Sequence, residues 1–229
     1  MSKRPPGITG LDLSRMSRKP YLIGVAGPSG AGKSYLAHHL AQRLHAPVLA
    51  LDRYYRDLSH LPPHQRARWN FDEPSALEYE RLISDACTLG QGKAIEVPWY
   101  DFSAHQRTAM VCRFEPADFV ILEGLFTLYW PRLRELLGTR IYLDEDRDIC
   151  LQRRLHRDAR DRGRSPEAVI AQFRSTVAPM TEKYVRPTRI YADLFISGSA
   201  PVAASVEHVV AHLEARPLLR RAAYSALSR

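Results

Sequence analysis

Residues 27–34 have the sequence GPSGAGKS, and they follow a short apolar run at residues 21–26, YLIGVA. The octapeptide matches the pattern G-x-x-x-x-G-K-S/T, in which glycines let backbone N–H groups turn toward phosphate oxygens. Residues 33–45 then place leucines and alanines at helical spacing. Strand, glycine-rich loop and helix in this order predict a phosphate-binding loop, because the helix N-terminus adds partial positive charge.

Two side chains of the loop have specific expected roles. Lys33 reaches the β- and γ-phosphates of a bound nucleoside triphosphate, and the Ser34 hydroxyl is offered to Mg²⁺. The loop residues expected to bind the nucleotide are Gly27, Ser29, Gly30, Ala31, Gly32, Lys33 and Ser34. A flexible loop that happens to contain a lysine is the alternative, and the flanking strand and helix argue against it.

Short apolar runs alternate with helical patterns along the rest of the chain. Further strands are predicted at residues 47–51, 118–123, 139–143 and 193–197, and further helices at 77–89 and 202–214. This alternation predicts an α/β fold with a mostly parallel sheet and helices on both faces. Residues 94–99 and 108–114 alternate with a period of two instead, which predicts an inserted antiparallel β-hairpin over about residues 93–115.

Composition limits the classes of protein. The 229 residues carry a formal net charge of +8, which suits anionic ligands. No apolar run is long enough for a membrane span, and three cysteines without metal-ligand spacing suit a reduced, cytoplasmic protein. We expect a disordered basic lead-in at residues 1–20, one domain at 21–214 and a basic tail at 215–229. The tail has a single aromatic residue, so nucleic acid is not expected as a partner.

Two carboxylates follow predicted strands directly. Asp52 comes after the second strand and Glu123 ends the third. Because ligands bind outside the carboxyl ends of parallel strands, both acids should lie beside the phosphate-binding loop. One could bind Mg²⁺ and the other could accept the proton of an attacking hydroxyl; a helix-capping acid is the alternative for either. No guanine-binding or switch motif is present, so a kinase of a small alcohol fits better than a GTPase.

The chain resembles the uridine kinase (uridine–cytidine kinase) family across about residues 21–210. The segments that carry the resemblance occur in the family's order: GPSGAGKS, LDRYYRD, NFDEPSAL, VPWYDFSAHQR, FVILEGLF, RRLHRDARDRGRS and YADLFIS. The resemblance implies ATP-dependent, Mg²⁺-dependent phosphorylation of the ribose 5′-hydroxyl of uridine or cytidine by a homotetramer. It makes Asp52 the general base and Glu123 the acid near Mg²⁺, with Ser34 and Asp52 as further metal ligands.

The resemblance also implies a nucleoside pocket and a lid over the phosphates at about residues 154–172. The pocket residues are Tyr55, Phe71, Asp72, Tyr100, Phe102 and His105, with Asp72 on the ribose hydroxyls and Tyr100 and His105 reading the pyrimidine. The lid residues are Arg154, Arg157, Arg162, Arg164 and Gln172, with Arg157 assigned to catalysis. From the residues alone, the arginine run could also be an exposed, salt-bridged helix.

Two residues depart from the family's pattern. Arg53 follows the aspartate where a small residue is usual, and it could either pair with Asp52 or point away and touch phosphate. Trp99 precedes Tyr100 where a smaller residue is common, so the pocket wall could differ. Two alternatives stay open at this point: a related kinase of another hydroxylated small molecule, and a catalytically weak nucleotide-binding regulator.

Overall fold

The computed structural model of the chain describes residues 19–66, 68–102 and 104–216, and at residues 161 and 162 it describes the helix backbone alone. Most of the predicted lead-in (1–20) and of the predicted tail (215–229) therefore lies outside the described residues. The side chain of Arg162, a predicted lid residue, lies outside them as well.

The described part of the chain forms two separate sheets. Its strands, in chain order, are β1 Tyr21–Ala26, β2 Val48–Ala50, β3 Ile95–Asp101, β4 Gln106–Phe114, β5 Phe119–Glu123, β6 Thr139–Asp144 and β7 Leu194–Ser197. The larger sheet has the order β2-β5-β1-β6-β7, and all of its neighbours are parallel. Strands β3 and β4 form an antiparallel hairpin. The predicted α/β fold with an inserted hairpin is therefore confirmed.

The helices of the described residues follow the strands as expected. They are α1 Lys33–Leu44, α2 Pro63–Arg66, α3 Tyr79–Gly90, α4 Pro131–Leu136, α5 Arg147–Arg162, α6 Pro166–Gln172, α7 Ala178–Met180 and α8 Val202–Ala215. Two wide, π-helical segments, Phe173–Val177 and Thr181–Val185, continue the chain beyond α6. No helix among the described residues is both long and apolar enough to cross a bilayer.

The central strand β1 is buried on both faces, which explains its unbroken apolar sequence. Leu22 belongs to a core cluster that includes Leu82 of α3. Ile23, on the opposite face, belongs to a second cluster that includes Leu40 of α1 and Val209 of α8. Successive side chains of a strand point to opposite faces, so a strand covered by helices on both sides needs apolar residues at every position.

The register of the sheet brings the predicted acids to one edge. Ala50 of β2 pairs with Glu123 of β5, which in turn pairs with Val25 of β1. The chain leaves β2 through a 3₁₀ turn, Leu51–Tyr54, so Asp52 lies in that turn, just beyond the strand. The loop after β1 and both acids therefore meet at the carboxyl edge of the sheet, the usual place for a ligand.

Residues 154–172, the region predicted as a lid, fall within helices α5 and α6 and the turn between them. Asp146 caps α5 by accepting a hydrogen bond from the Asp148 amide, and Gly163 ends the helix with a left-handed φ of 59°. Ser165 then caps α6 through the Ala168 amide. Residues 161 and 162 belong to the last turn of α5, so only a short turn at residues 163–165 separates the two helices.

Candidate active site

One cavity of about 560 Å³ gathers most of the predicted functional residues. The predicted residues that line it are Ser29, Gly30, Gly32, Lys33, Ser34, Asp52, Tyr55, Phe71, Asp72, Tyr100, Phe102, His105, Glu123, Arg154, Arg157, Arg164 and Gln172. Gly27 and Ala31 lie in the loop without lining the cavity. Residues that sequence reasoning missed also line it: Tyr35, Gly124, Leu125 and Arg153.

The loop between β1 and α1 has the backbone that a phosphate cradle requires. Gly27, Gly30 and Gly32 all have positive φ values, of 146°, 89° and 103°. At Gly27 a Cβ atom would also collide with the backbone oxygen of Leu143. Only glycine adopts these conformations without strain, so the spacing of the glycines follows from the path of the loop.

Lys33 is the first residue of α1, and its side chain folds back over the loop. Its ammonium donates a hydrogen bond to the backbone oxygen of Pro28 at 2.8 Å. Burial lowers the pKa of this lysine, and the nearby carboxylates of Glu123 and Asp52 oppose the shift. A buried cation next to open cavity space is a group that an anionic ligand would stabilise.

Ser34 and Glu123 form the part of the site that could hold a metal ion. The Ser34 hydroxyl donates a hydrogen bond to Glu123 Oε1 at 3.0 Å. Burial raises the pKa of Glu123, and the negative charge of Asp52 raises it further. A hydroxyl and two carboxylates are oxygen donors of the kind that Mg²⁺ prefers, and a divalent cation would offset their mutual repulsion.

Arg53, next to Asp52, is directed toward the hairpin. Its guanidinium carbon lies 5.0 Å from the centroid of the Trp99 ring, in a cation–π contact. Such a contact contributes about 0.5–1 kcal/mol at an exposed site. The two departures from the family's pattern therefore contact each other, and neither residue lines the cavity. Arg53 thus contacts the hairpin, and it does not line the cavity where a phosphate contact was expected.

Aromatic rings form part of the wall of the same cavity. The rings of Phe71 and His105 stack with centroids 4.9 Å apart, and Tyr55 meets Phe71 edge to face at 5.0 Å. Tyr100 connects Tyr55 to Phe102, at 5.6 Å and 5.3 Å. His105 has a left-handed φ of 51°, an uncommon conformation for a residue other than glycine. This box of rings could stack against a flat heterocycle.

Asp72 supplies a buried carboxyl group next to the aromatic box. The residue is 8% exposed, and burial raises the pKa of its side chain while Arg154 opposes the shift. Burial of a polar group costs free energy unless the group has hydrogen-bond partners. The hydroxyls of a ligand could provide such partners.

The lid arginines converge on the same cavity. Arg154 donates hydrogen bonds to Ser29 Oγ at 2.8 Å and to Gln172 Oε1 at 3.0 Å. Arg164 donates to the same Gln172 oxygen at 2.6 Å. Five cationic side chains and three carboxylates line the cavity among the described residues. This excess of positive charge suits a polyanion. The arginine-rich helix does carry ion pairs, as the alternative held, but Arg154 and Asp158 are buried rather than exposed.

A second cavity, of about 410 Å³, adjoins the first and was not predicted from the sequence. The two share Gly32, Tyr35 and Arg153, and the second extends toward the turn after β7, at Gly198 and Ala200. Arg153 connects the two loops by donating hydrogen bonds to the backbone oxygens of Gly30 at 3.4 Å and Gly198 at 3.1 Å. A nucleotide could therefore extend from the phosphate loop into this space.

Replacement of Gly198 by alanine is expected to disturb this contact. The new Cβ atom would collide with the backbone oxygen of Ala31 and so push two loops apart. Overpacking of this kind costs about 1–3 kcal/mol, so we expect a lower melting temperature and a higher KM for the nucleotide. Gly90→Ala is the matched control, because its Cβ would meet only Leu22 Cδ1, at 3.7 Å. Equal melting temperatures for the two variants would contradict this account.

A glycine-rich loop, two acids at the carboxyl edge of a parallel sheet and an arginine-rich helix beside the same cavity are the features of a P-loop phosphotransferase. Residues 22–204 match the Phosphoribulokinase / Uridine kinase family, and the chain belongs to that family. Uridine kinase from Chloroflexus aggregans is 41% identical over 203 residues, which cover 87% of this chain and 97% of that protein. The chain is therefore a kinase.

Solved structures of similar fold come from several kinases. A putative fructose transport system kinase from Silicibacter sp. has a TM-score of 0.65 at 22% identity, covering 78% of this chain and 90% of that one. Phosphoribulokinase from Rhodobacter spheroides has a TM-score of 0.60 at 16% identity, covering 81% of this chain and 75% of that one. At these identities the likeness concerns the fold alone.

Proposed function

We propose that this kinase transfers the γ-phosphoryl group of ATP to the ribose 5′-hydroxyl of uridine and cytidine. The observation that carries the proposal is the shared cavity, which is lined both by the phosphate loop and by the aromatic box with His105 and Asp72. The relatives of about 40% identity are named uridine kinase, which supports the same substrate class. The named relatives, rather than the fold, favour a nucleoside over another hydroxylated metabolite.

The transfer needs one proton acceptor and a strong positive field. Asp52 accepts the proton of the 5′-hydroxyl as that oxygen attacks the γ-phosphorus, and the bond to the β,γ-bridging oxygen breaks to leave ADP. Lys33 and the loop amides hold the phosphates from one side. Arg154, Arg157 and Arg164 offset the charge that spreads over the equatorial oxygens.

The oxygen donors of the cavity suit the binding of a magnesium ion. We propose that Ser34, Glu123 and Asp52 hold it, and that water and phosphate oxygens supply its remaining ligands, as is usual for Mg²⁺. Among the described residues no cluster of three or more histidine, cysteine or acidic side chains could form an all-protein metal site. When bound, the ion supplies neutralising charge at the phosphate oxygens.

The adenine of ATP is proposed to occupy the second cavity. Its walls include the apolar side chains of Leu36, Leu143, Ile196 and Val202, which suit a flat base. Gly32, in the phosphate loop, lines both cavities. One nucleotide could therefore place its phosphates in the first cavity and its base in the second.

The nucleoside is proposed to lie in the aromatic box. Asp72 would accept hydrogen bonds from the ribose hydroxyls, and the rings of Tyr55, Phe71 and Tyr100 would enclose the base. His105 would face the 4-position, where uracil has a carbonyl acceptor and cytosine an amino donor. A neutral imidazole can meet either group, because its two nitrogens are one donor and one acceptor and the tautomer can change.

We expect wild-type protein to phosphorylate both uridine and cytidine, and adenosine poorly, because the box of rings leaves little room for two fused rings. The test is kcat/KM for the three nucleosides with ATP and Mg²⁺, with the products identified by mass. His105→Phe keeps the stacking on Phe71 but removes both nitrogens, so it should lower kcat/KM for both pyrimidines by about tenfold or more.

The outcomes of this experiment separate the parts of the proposal. If His105→Phe retains wild-type efficiency on both pyrimidines, His105 does not read the base. If adenosine is the best substrate, or no nucleoside is phosphorylated, the related-kinase alternative replaces the pyrimidine assignment. His208→Phe is a matched control, since this exposed histidine of α8 is outside both cavities.

We further propose a kinase domain at residues 21–214 that assembles as a homo-oligomer, a tetramer by family resemblance, and works in the cytoplasm. The apolar side chains of Met110 and Val111 on β4 are 65% and 53% exposed, which favours contact with a second copy. The three cysteines are unpaired, as in a reducing compartment. Light scattering on the purified protein tests the assembly.

A further inference from the structure

Asp158 is a buried acid in the middle of the arginine-rich helix α5. It is 0% exposed, although several of its neighbours on the helix are exposed. It does not line the catalytic cavity. A charged carboxylate is rarely buried without partners that offset the loss of hydration. The partners of Asp158 therefore indicate why it is there.

Among the described side chains, three lid arginines lie around this one carboxylate. Arg157 approaches Asp158 Oδ1 at 2.9 Å, and Arg154 and Arg164 approach Oδ2 at 3.6 Å and 3.8 Å. Arg154 and Arg157 belong to α5, whereas Arg164 lies beyond its C-terminal Gly163. The carboxylate therefore joins the helix to the turn that leads into α6.

The same three arginines line the cavity where the phosphates are expected. Guanidinium groups gathered in one place repel each other, and long side chains lose entropy when they are held in one geometry. A buried carboxylate between them opposes the repulsion and limits their rotamers. The arrangement resembles a preorganised anion site, in which the geometric cost is met before the ligand arrives.

We propose that Asp158 is a positioning residue that holds Arg154, Arg157 and Arg164 in place around the polyphosphate. The inference rests on the proposed function for its role in turnover, because the arginines are assumed to act on the transferred phosphoryl group. Asp158 should also strengthen the binding of polyphosphate alone, and this effect does not require a nucleoside.

The binding test depends on whether Asp158→Asn raises or lowers the affinity for a polyanion. Asp158→Asn removes a negative charge close to an anion site, so a purely electrostatic role predicts tighter binding of a polyanion. A positioning role predicts weaker binding, because the arginines are no longer held together. We expect calorimetry with inorganic tripolyphosphate to give an affinity lower by about fivefold or more. Asp148→Asn is the matched control, an exposed acid in the first turn of the same helix, and it should bind as wild type.

Turnover gives the second readout. Asp158→Asn should lower kcat by about tenfold or more, and the loss should shrink in an Arg164→Ala background, because two residues that act together are not additive. Failure of the proposed function would appear as absent nucleoside turnover in the wild type, while the tripolyphosphate result still decides the role of Asp158.

Loss of a buried charge can destabilise the protein, so melting temperatures accompany each measurement. If Asp158→Asn does not fold, Asp158→Glu replaces it, since this variant keeps the charge and displaces the carboxylate by one methylene. Weaker tripolyphosphate binding by Asp158→Glu would again support positioning. Unchanged or tighter binding by a folded variant would overturn the proposal.

Discussion

Lys33→Ala is expected to lower kcat by about 10³-fold or more, because it removes the cation that faces the transferred charge in a buried site. The substitution should not unfold the protein. Burial lowers the pKa of Lys33. The charged lysine therefore reduces the stability of the folded state when no phosphate is bound. The melting temperature of Lys33→Ala without nucleotide should therefore equal or exceed that of the wild type.

The measurement is steady-state turnover with ATP and a nucleoside, together with melting curves in the presence and absence of ATP. Wild-type protein should be stabilised by ATP, and Lys33→Ala should lose most of this shift. Lys93→Ala is the matched control, because Lys93 is exposed in the turn before β3. Near-wild-type turnover by Lys33→Ala would mean that the phosphate cradle is misassigned.

Asp52→Asn is expected to lower kcat by about 10²-fold or more, which is the usual scale for removal of a general base. The amide keeps the shape of the side chain, so nucleoside binding should change little. Asp118→Asn is the matched control, since Asp118 is exposed and precedes β5 at the opposite edge of the sheet. A small loss for Asp52→Asn would limit Asp52 to a role as metal ligand.

The same variant makes a prediction about pH. The charge of Asp52 raises the pKa of Glu123, in addition to the effect of burial. Removal of that charge should lower the pKa of Glu123, so Glu123 stays ionised to lower pH. The acid limb of the residual kcat/KM should therefore shift to lower pH in Asp52→Asn. An unchanged acid limb would show that Glu123 does not control it.

The sequence was sufficient to predict the parallel sheet and the phosphate loop, and the physical reasons are visible. Strands such as residues 119–123 are buried on both faces and appear as unbroken apolar runs. The glycines of the loop occupy left-handed positions, so their spacing is fixed by geometry. The positions of Asp52 and Glu123 follow from the fact that parallel strands end at one edge.

Other features depended on contacts that no local pattern encodes. The second cavity arises because β7 lies beside β6, which brings Gly198 against the loop at Ala31, more than 160 positions earlier in the sequence. Asp158 is one of them: it is buried, and Arg164, in the turn after Gly163, approaches its carboxylate at 3.8 Å. Its spacing from Arg154 could have suggested an ion pair, but an arginine-rich helix predicts exposure instead.

The π-helical segments between α6 and Arg186 have an evolutionary consequence. A π-turn closes its hydrogen bond over one residue more than an α-turn. Deletion of a single exposed residue such as Ser175 could therefore convert Phe173–Val177 to an ordinary α-helical turn, while the helix on either side keeps its direction. A homologous chain that lacks one residue of this segment should form an α-helical turn here, so the change is absorbed within the helix and the residues that line the cavity keep their places.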